Sequence, residues 1–172
     1  MINSERIYLR APEVEDLEVL YAWENDGIMR FLSNSRSPVS RFLLEQYIIS
    51  SGEDIYSLKQ LRLMAVERTT NHLIGHIDIS DFDPHHKRAC LGIMITENHR
   101  NKGYAYEMLQ LVIGYAASEL EMHQLFCNVM ADNQASIKLF EKAGFTITGT
   151  KKDWIRHNKK WLDEHLMQLI LE

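Results

Sequence analysis

Arg6-Ile7-Tyr8-Leu9-Arg10 sets apolar against polar positions at the two-residue period of a half-buried strand. Pro12 then opens a helix that carries Val14, Leu17, Leu20 and Tyr21 on one side. Its first turn holds Glu13, Glu15 and Asp16, where the helix dipole favours negative charge. Residues 25–38 read as a loop with part of a helix, closed by the turn chemistry of Asn34-Ser35-Arg36-Ser37-Pro38. A second helix is predicted over 40–50, ended by Gly52-Glu53-Asp54. Strands follow at 62–67 and 73–80 around a turn at 69–72, and the alternation of the second is broken at Gly75. A polar turn over 81–88 leads into the apolar run Ala89-Cys90-Leu91-Gly92-Ile93-Met94-Ile95, so three consecutive strands are expected to pair antiparallel.

Beyond a basic turn, His99-Arg100-Asn101-Lys102-Gly103-Tyr104-Ala105, the residues Ala105, Met108, Leu109, Val112, Tyr115 and Ala116 recur at the spacing of one helix face. Leu125-Phe126-Cys127-Asn128-Val129 forms another strand, and Asp132-Asn133 caps a helix that Gly144 terminates. Residues 145–150, Trp154 and Trp161 around Asn158, and 166–171 close the chain as a hairpin. No repeat or linker interrupts this order, so residues 1–172 are read as a single mixed α/β domain.

Composition narrows the function. With 45% hydrophobic residues the chain can bury a real core. A net charge of −5 lacks the basic face that nucleic-acid binding needs, and no apolar run approaches membrane-spanning length. Met1-Ile2-Asn3-Ser4 runs straight into the first strand with no secretory signal, so a cytoplasmic, soluble protein is expected. Cys90 and Cys127 fall in core strands and are read as small apolar residues. No metal is expected: His72 and His76 sit four residues apart in an extended strand, about 13 Å, too far to share an ion. His85-His86 is read as a solvated pair in a turn. No nucleophile elbow or Walker loop is present.

The informative stretch is the basic turn between a strand and a helix. Arg100, Lys102 and a run of backbone N–H groups meet the first helical turn, where unpaired donors and the dipole attract an anion. Gly103 has no side chain to keep a phosphate from that backbone, and Ala105 lets the helix start close to the strand.

Arg100-x-x-Gly103-x-Ala105 resembles the acyl-CoA signature of the GNAT superfamily of N-acetyltransferases. A second match, from Asp132-Asn133-Gln134 to Gly144-Phe145, is similar to that family's asparagine-then-helix segment, and the order of elements resembles the GNAT fold from end to end. Ile7-Tyr8-Leu9-Arg10 with Glu15-Asp16-Leu17, and the ending Trp161-Leu162-Asp163-Glu164, look most like bacterial ribosomal-protein N-terminal acetyltransferases and spermidine acetyltransferases. The resemblance implies a mostly antiparallel sheet of six to seven strands with one splayed parallel pair, flanked by about four helices. It implies acetyl-CoA as cosubstrate and an amine as the other partner, and leaves open a homodimer or larger homo-oligomer. It places the pyrophosphate on Arg100, Asn101, Lys102, Gly103, Tyr104 and Ala105, and the pantetheine along Ile93, Met94 and Ile95. Asn133, Phe140 and Lys142 are its further cofactor contacts.

Catalytic groups are less evenly supplied. Many family members carry a tyrosine, the acid for the departing thiolate, where this chain has Phe140, which cannot donate a proton. The ribosomal-protein branch has a serine proposed for that role at the position of Ser136, the catalytic candidate here. A thiol of pKa about 8.5 can also leave unaided near neutrality. Candidate bases for the amine are His76, Asp78, Glu97 and Asp153; the branch's glutamate aligns with Ile155 and is missing. Asp78, Asp81 and Asp83 could line a polycation site, though an ordinary wet hairpin explains them too. An acyl-CoA-binding protein without turnover is the reading from another functional class.

Overall fold

The computed structural model describes residues 2–27 and 37–171. Eight strands form one sheet in the order β1-β2-β3-β4-β5-β6-β8-β7. They are β1 (Ile2–Asn3), β2 (Ile7–Arg10), β3 (Leu61–Glu67), β4 (Leu73–Asp83), β5 (Arg88–Ile95), β6 (Gln124–Met130), β7 (Thr146–His157) and β8 (Lys160–Ile170). All neighbours pair antiparallel except β5 and β6. The described helices are α1 (Leu17–Asn25), α2 (Arg41–Ser50), the single turn α3 (Ile55–Leu58), α4 (Tyr104–Ser118) and α5 (Gln134–Lys142). The expected six to seven strands are corrected to eight, because two-residue β1 is too short to display any alternation.

Side chains leave the sheet alternately on its two faces, and this divides the core. Met64 joins Leu20 of α1 and Leu44 and Ile48 of α2. Its neighbours Leu63 and Ala65 point the other way, into a larger cluster with Met108, Leu109 and Val112 of α4 and Ile137 and Phe140 of α5. The sheet therefore lies between an α1/α2 layer and an α4/α5 layer.

Four expectations need adjustment. The helix after Pro12 begins as a 3-10 turn at Val14–Asp16, and Val14 is exposed; the buried face starts later, at Leu20. Asp16 is buried because it takes both arms of Arg10 and the Glu13 amide, which tie β2 to α1. Strand β4 continues to Asp83 through an irregularity after Ser80, which buries Phe82 where a wet turn was expected. Cys127 is fully buried, whereas Cys90 is half-buried on a cavity wall. The predicted loop with part of a helix over 25–38 falls mostly at 28–36, outside the described residues. Its two ends are closed by Asn25, whose amide group exchanges hydrogen bonds with the backbone of Val39.

Candidate active site

Parallel pairing between β5 and β6 is brief: Arg88 opposes Gln124, Ala89 opposes Leu125 and Cys90 opposes Phe126, and there the ladder stops. Strand β6 continues against β8 to Met130, while β5 continues against β4 to Ile95. The β6-facing backbone groups of residues 91–95 thus have no strand partner, and a wedge opens between the two strands. Gly75 helps set the far end of β5. A Cβ at that position would lie 2.1 Å from the Met94 carbonyl oxygen, so only glycine lets the Met94 peptide fold over β4.

Three cavities run through this wedge. One of about 450 Å³ lies at the start of α4. Its lining includes Ile93, Met94, Ile95, Arg100, Asn101, Gly103, Tyr104, Ala105, Asn133, Ser136 and Lys142. Gly103 caps α4 with φ 84°, a left-handed conformation in which side chains are strained, and Asn101 is left-handed at φ 60°. The amides of the first turn of α4 lack helical acceptors, so the cavity meets free donors and the positive end of a fifteen-residue helix. Arg100 and Lys142 add two cations. These features fit the pyrophosphate of an acyl-CoA.

A middle cavity of about 320 Å³ shares Ile93, Asn133 and Ser136 with the first and adds Phe140, Asn128 and Glu164. A third of about 550 Å³ shares Leu91, Gly92 and Asn128 with the middle one and opens toward α1 and α2. Its charged groups come from three elements. Arg62 on β3 donates from Nε and Nη2 to the two carboxylate oxygens of Asp78 on β4, at 2.7 and 2.9 Å, and from Nη1 to Glu24 Oε1 on α1 at 2.5 Å. Tyr47 lies over the guanidinium. The three charged side chains are only 16%, 20% and 29% exposed for Arg62, Glu24 and Asp78. Burial opposes the charge on Asp78, but the adjacent His76 ring and the bonds from Arg62 prevail and hold its carboxyl well below the ordinary carboxylate range.

The wedge thus joins an anion-binding cradle to a separate polar pocket across an open strand edge. The profile described as acetyltransferase (GNAT) domain matches residues 6–146. The chain belongs to this family. Membership makes the protein an acetyl-CoA-dependent acetyltransferase, with acetyl-CoA as cosubstrate. Among relatives, the uncharacterised N-acetyltransferase YoaA of Bacillus subtilis is 28% identical, with 99% of this chain and 96% of that protein covered. Spermidine N(1)-acetyltransferase of Vibrio cholerae is 25% identical, with 98% and 95% covered. The crystal structure of spermidine N-acetyltransferase from Vibrio cholerae in complex with CoA and spermine superposes with a TM-score of 0.85 at 23% identity, covering 97% of this chain and 96% of that one.

Within this GNAT domain the expected residues are not all in one place. Lys102 lines none of the three cavities; its carbonyl accepts from Arg6 Nη1 at 3.1 Å. Phe140 lines the middle cavity while its ring packs edge-on against Phe145, 5.1 Å between centroids, so it is also core. Asn133 caps α5, as expected: its Oδ1 accepts from the Ser136 amide at 3.2 Å. The Ser136 side chain is left at the junction of the cofactor and middle cavities.

The candidate bases fare worse. Asp78 is ionised and bound to Arg62. His76 Nδ1 lies 3.4 Å from Asp78 Oδ1 without hydrogen-bond alignment. Glu97 sits in a 3-10 turn and Asp153 at a left-handed position in β7, and neither lines these cavities. The polycation cluster is also dispersed, since Asp83 accepts from the amides of His85 and His86 and pairs with Arg88. Burial pushes the Cys90 thiol up to about 11 and raises Cys127 further, so neither serves as a nucleophile near neutrality.

Sequence reasoning passed over several residues that build the site. Arg6 binds Glu107 of α4 and the Lys102 carbonyl, and stacks 4.7 Å above the Tyr104 ring. Tyr104 in turn donates to Glu67 on β3. Glu24 and Arg62 carried no local signal. Asn128, which accepts from Lys151 at 2.9 Å, and Glu164, paired with the same lysine, stand on the middle wall.

Proposed function

We propose that this chain transfers the acetyl group of acetyl-CoA to a primary amine by direct attack within a ternary complex. The observation that carries the reading is the unpaired β5 edge beyond Cys90, reached from the α4 cradle on one side and from the 550 Å³ pocket on the other. An extended pantetheine arm finds backbone partners along residues 93–95, with Asn133 at its side. Arg100, Asn101, Gly103 and Ala105 hold the diphosphate, and Lys142 adds a cation beside Tyr106. A free amide near Gly92 or Ile93 would then face the thioester carbonyl, and one such donor is worth about 3 kcal/mol to the oxyanion.

The chemistry balances with one proton released. The acceptor arrives as an ammonium, loses a proton to water in the open pocket, and its nitrogen lone pair attacks the thioester carbonyl carbon. The C–N bond forms, the C–S bond breaks with its electron pair leaving on sulfur, and the nitrogen sheds its second proton. We assign protonation of the thiolate to Ser136, which lines both cavities; Phe140 cannot donate a proton. The acceptor itself is a protein N-terminus or a small amine, and the spermidine-named relatives support a small amine.

The test is incubation of the purified protein with acetyl-CoA and a panel of amines, reading CoA thiol release and acceptor mass. The expected result is a mass gain of one acetyl group matched to thiol release. CoA binding in calorimetry with no thiol release against any amine would overturn the reading in favour of a binding protein. Ser136→Ala should lower kcat roughly 10²-fold with the acetyl-CoA Kd unchanged, the size of a lost general acid.

A further inference from the structure

The 550 Å³ pocket has an uneven charge balance. Its described lining holds two carboxylates, Glu24 and Asp78, and one guanidinium, Arg62, a net of one negative charge. Both oxygens of Asp78 are occupied by Arg62, whereas Glu24 gives Arg62 only Oε1; its second oxygen has no hydrogen-bond partner among the described residues. Apart from the neutral polar groups of Tyr47, Gln60, Ser80 and Asn128, the walls around this one charge are apolar, with Leu43, Leu44, Leu61, Ile79 and Leu91 among them. Further along the wedge the described linings carry no excess of carboxylates: the middle cavity is balanced and the cofactor cavity is positive. The middle cavity has Arg156, and its Glu164 is already paired with Lys151; the cofactor cavity has Arg100 and Lys142.

We infer that the acceptor pocket is built for an amine carrying a single positive charge on an apolar body, with Glu24 as the carboxylate that receives the ammonium. The inference rests on the pocket being the acceptor side of the proposed transfer. A polyamine brings two or three ammonium groups, of which the pocket can neutralise one; the others must stay hydrated or be desolvated among leucines, at a large cost. A monoamine places its one charge on Glu24 before losing a proton, and its hydrocarbon against α2 and β3. By this account the chain differs in acceptor class from relatives named for spermidine, although the shared fold covers nearly the whole of both chains.

A pair of probes of equal length isolates charge from size: hexylamine and 1,6-diaminohexane, with spermidine as a third. Acetylation of hexylamine should proceed with kcat/KM at least about 30-fold above either of the others. Glu24→Gln should raise KM for hexylamine about tenfold while leaving kcat and the KM for acetyl-CoA close to wild type, which a merely structural role for Glu24 would not do. Leu43, on the pocket rim and 57% exposed, offers a gain-of-function control. Leu43→Glu supplies the missing second carboxylate and should narrow the gap between monoamine and diamine by about fivefold or more. Higher kcat/KM for diaminohexane or spermidine than for hexylamine in the wild-type protein would overturn the inference. Absence of turnover with every amine would instead refute acetyl transfer. In that case thermal shift of the CoA complex still decides acceptor class: stabilisation by hexylamine over diaminohexane supports it, and the reverse order refutes it.

Discussion

The two halves of the wedge are made of different material. On the proposed cofactor side, the groups offered to a ligand are mostly backbone: the first-turn amides of α4, the left-handed Asn101 and Gly103, and the open edge of β5. On the proposed acceptor side they are side chains, Glu24, Arg62 and Asp78, delivered by α1, β3 and β4 into one hydrogen-bonded cluster. A backbone site can be written in a few consecutive residues, because what matters is where side chains are missing or small. A side-chain site is assembled only when distant segments pack. It can therefore change its ligand by single substitutions while the first half stays as it is.

The largest separation of the halves should come from Arg62→Met. It leaves Asp78 and Glu24 without their common cation, and breaking a pair this far buried costs about 3 kcal/mol or more. Unfolding by denaturant should show that loss, and acceptor KM should rise steeply. The Kd for CoA, measured on the folded protein, should stay within about twofold if the cradle is independent of the cluster; a parallel loss of CoA affinity would show the halves to be one unit.

Next in size is Gly75→Ala. Its Cβ meets the Met94 carbonyl at 2.1 Å, where the neighbours are backbone and cannot swing aside. Displacing the end of β5 should cost about 2 kcal/mol in stability and weaken CoA binding, since the pantetheine edge moves with it. Unchanged CoA affinity would mean that the edge beyond Met94 is not used.

The same division governs what could be read from the chain. The strand, basic turn and helix around Gly103 were legible because Arg100, Gly103 and Ala105 stand within six residues, and the helix face from Met108 to Ala116 repeats at a fixed spacing. The Asn133 cap was legible for the same reason. Arg62 looked like an ordinary polar position on an alternating strand, and Glu24 like a solvated helix residue, since their partners lie 16 and 38 positions away in the sequence. Asp78 reads in the sequence as one of four candidate bases, because the guanidinium that fixes its ionisation is invisible to local pattern. Strand β4 was cut short at Ser80 for a similar reason: the polar letters of 81–83 concealed a bulge that turns Phe82 into the core.

A smaller effect is expected at Gly103. Gly103→Ala forces a side chain into the left-handed region at φ 84°, which costs about 1 kcal/mol, and sets a methyl group 3.5 Å from Arg6 Nη2. Stability should fall by about that amount, while the Kd for CoA rises roughly tenfold because the same methyl stands where the diphosphate must approach. Acceptor KM should not move.

Arg6 gives the smallest effect and asks whether the cradle is local at all. Its guanidinium holds Glu107, caps the Lys102 carbonyl and covers the Tyr104 ring, so a residue almost a hundred positions upstream braces the loop from outside. Half of its side chain is exposed, and an ion pair in that setting contributes at most about 1 kcal/mol. Arg6→Gln keeps a donor for Lys102 but removes the charge and the stacking. Stability should drop by less than about 1 kcal/mol, and the Kd for CoA should rise about threefold, more in low salt than in high salt because the lost interaction is screened. A CoA affinity unchanged at either ionic strength would show that Asn101, Gly103 and the start of α4 hold their shape unaided, and that the cofactor half is as local in its energetics as it is in its sequence.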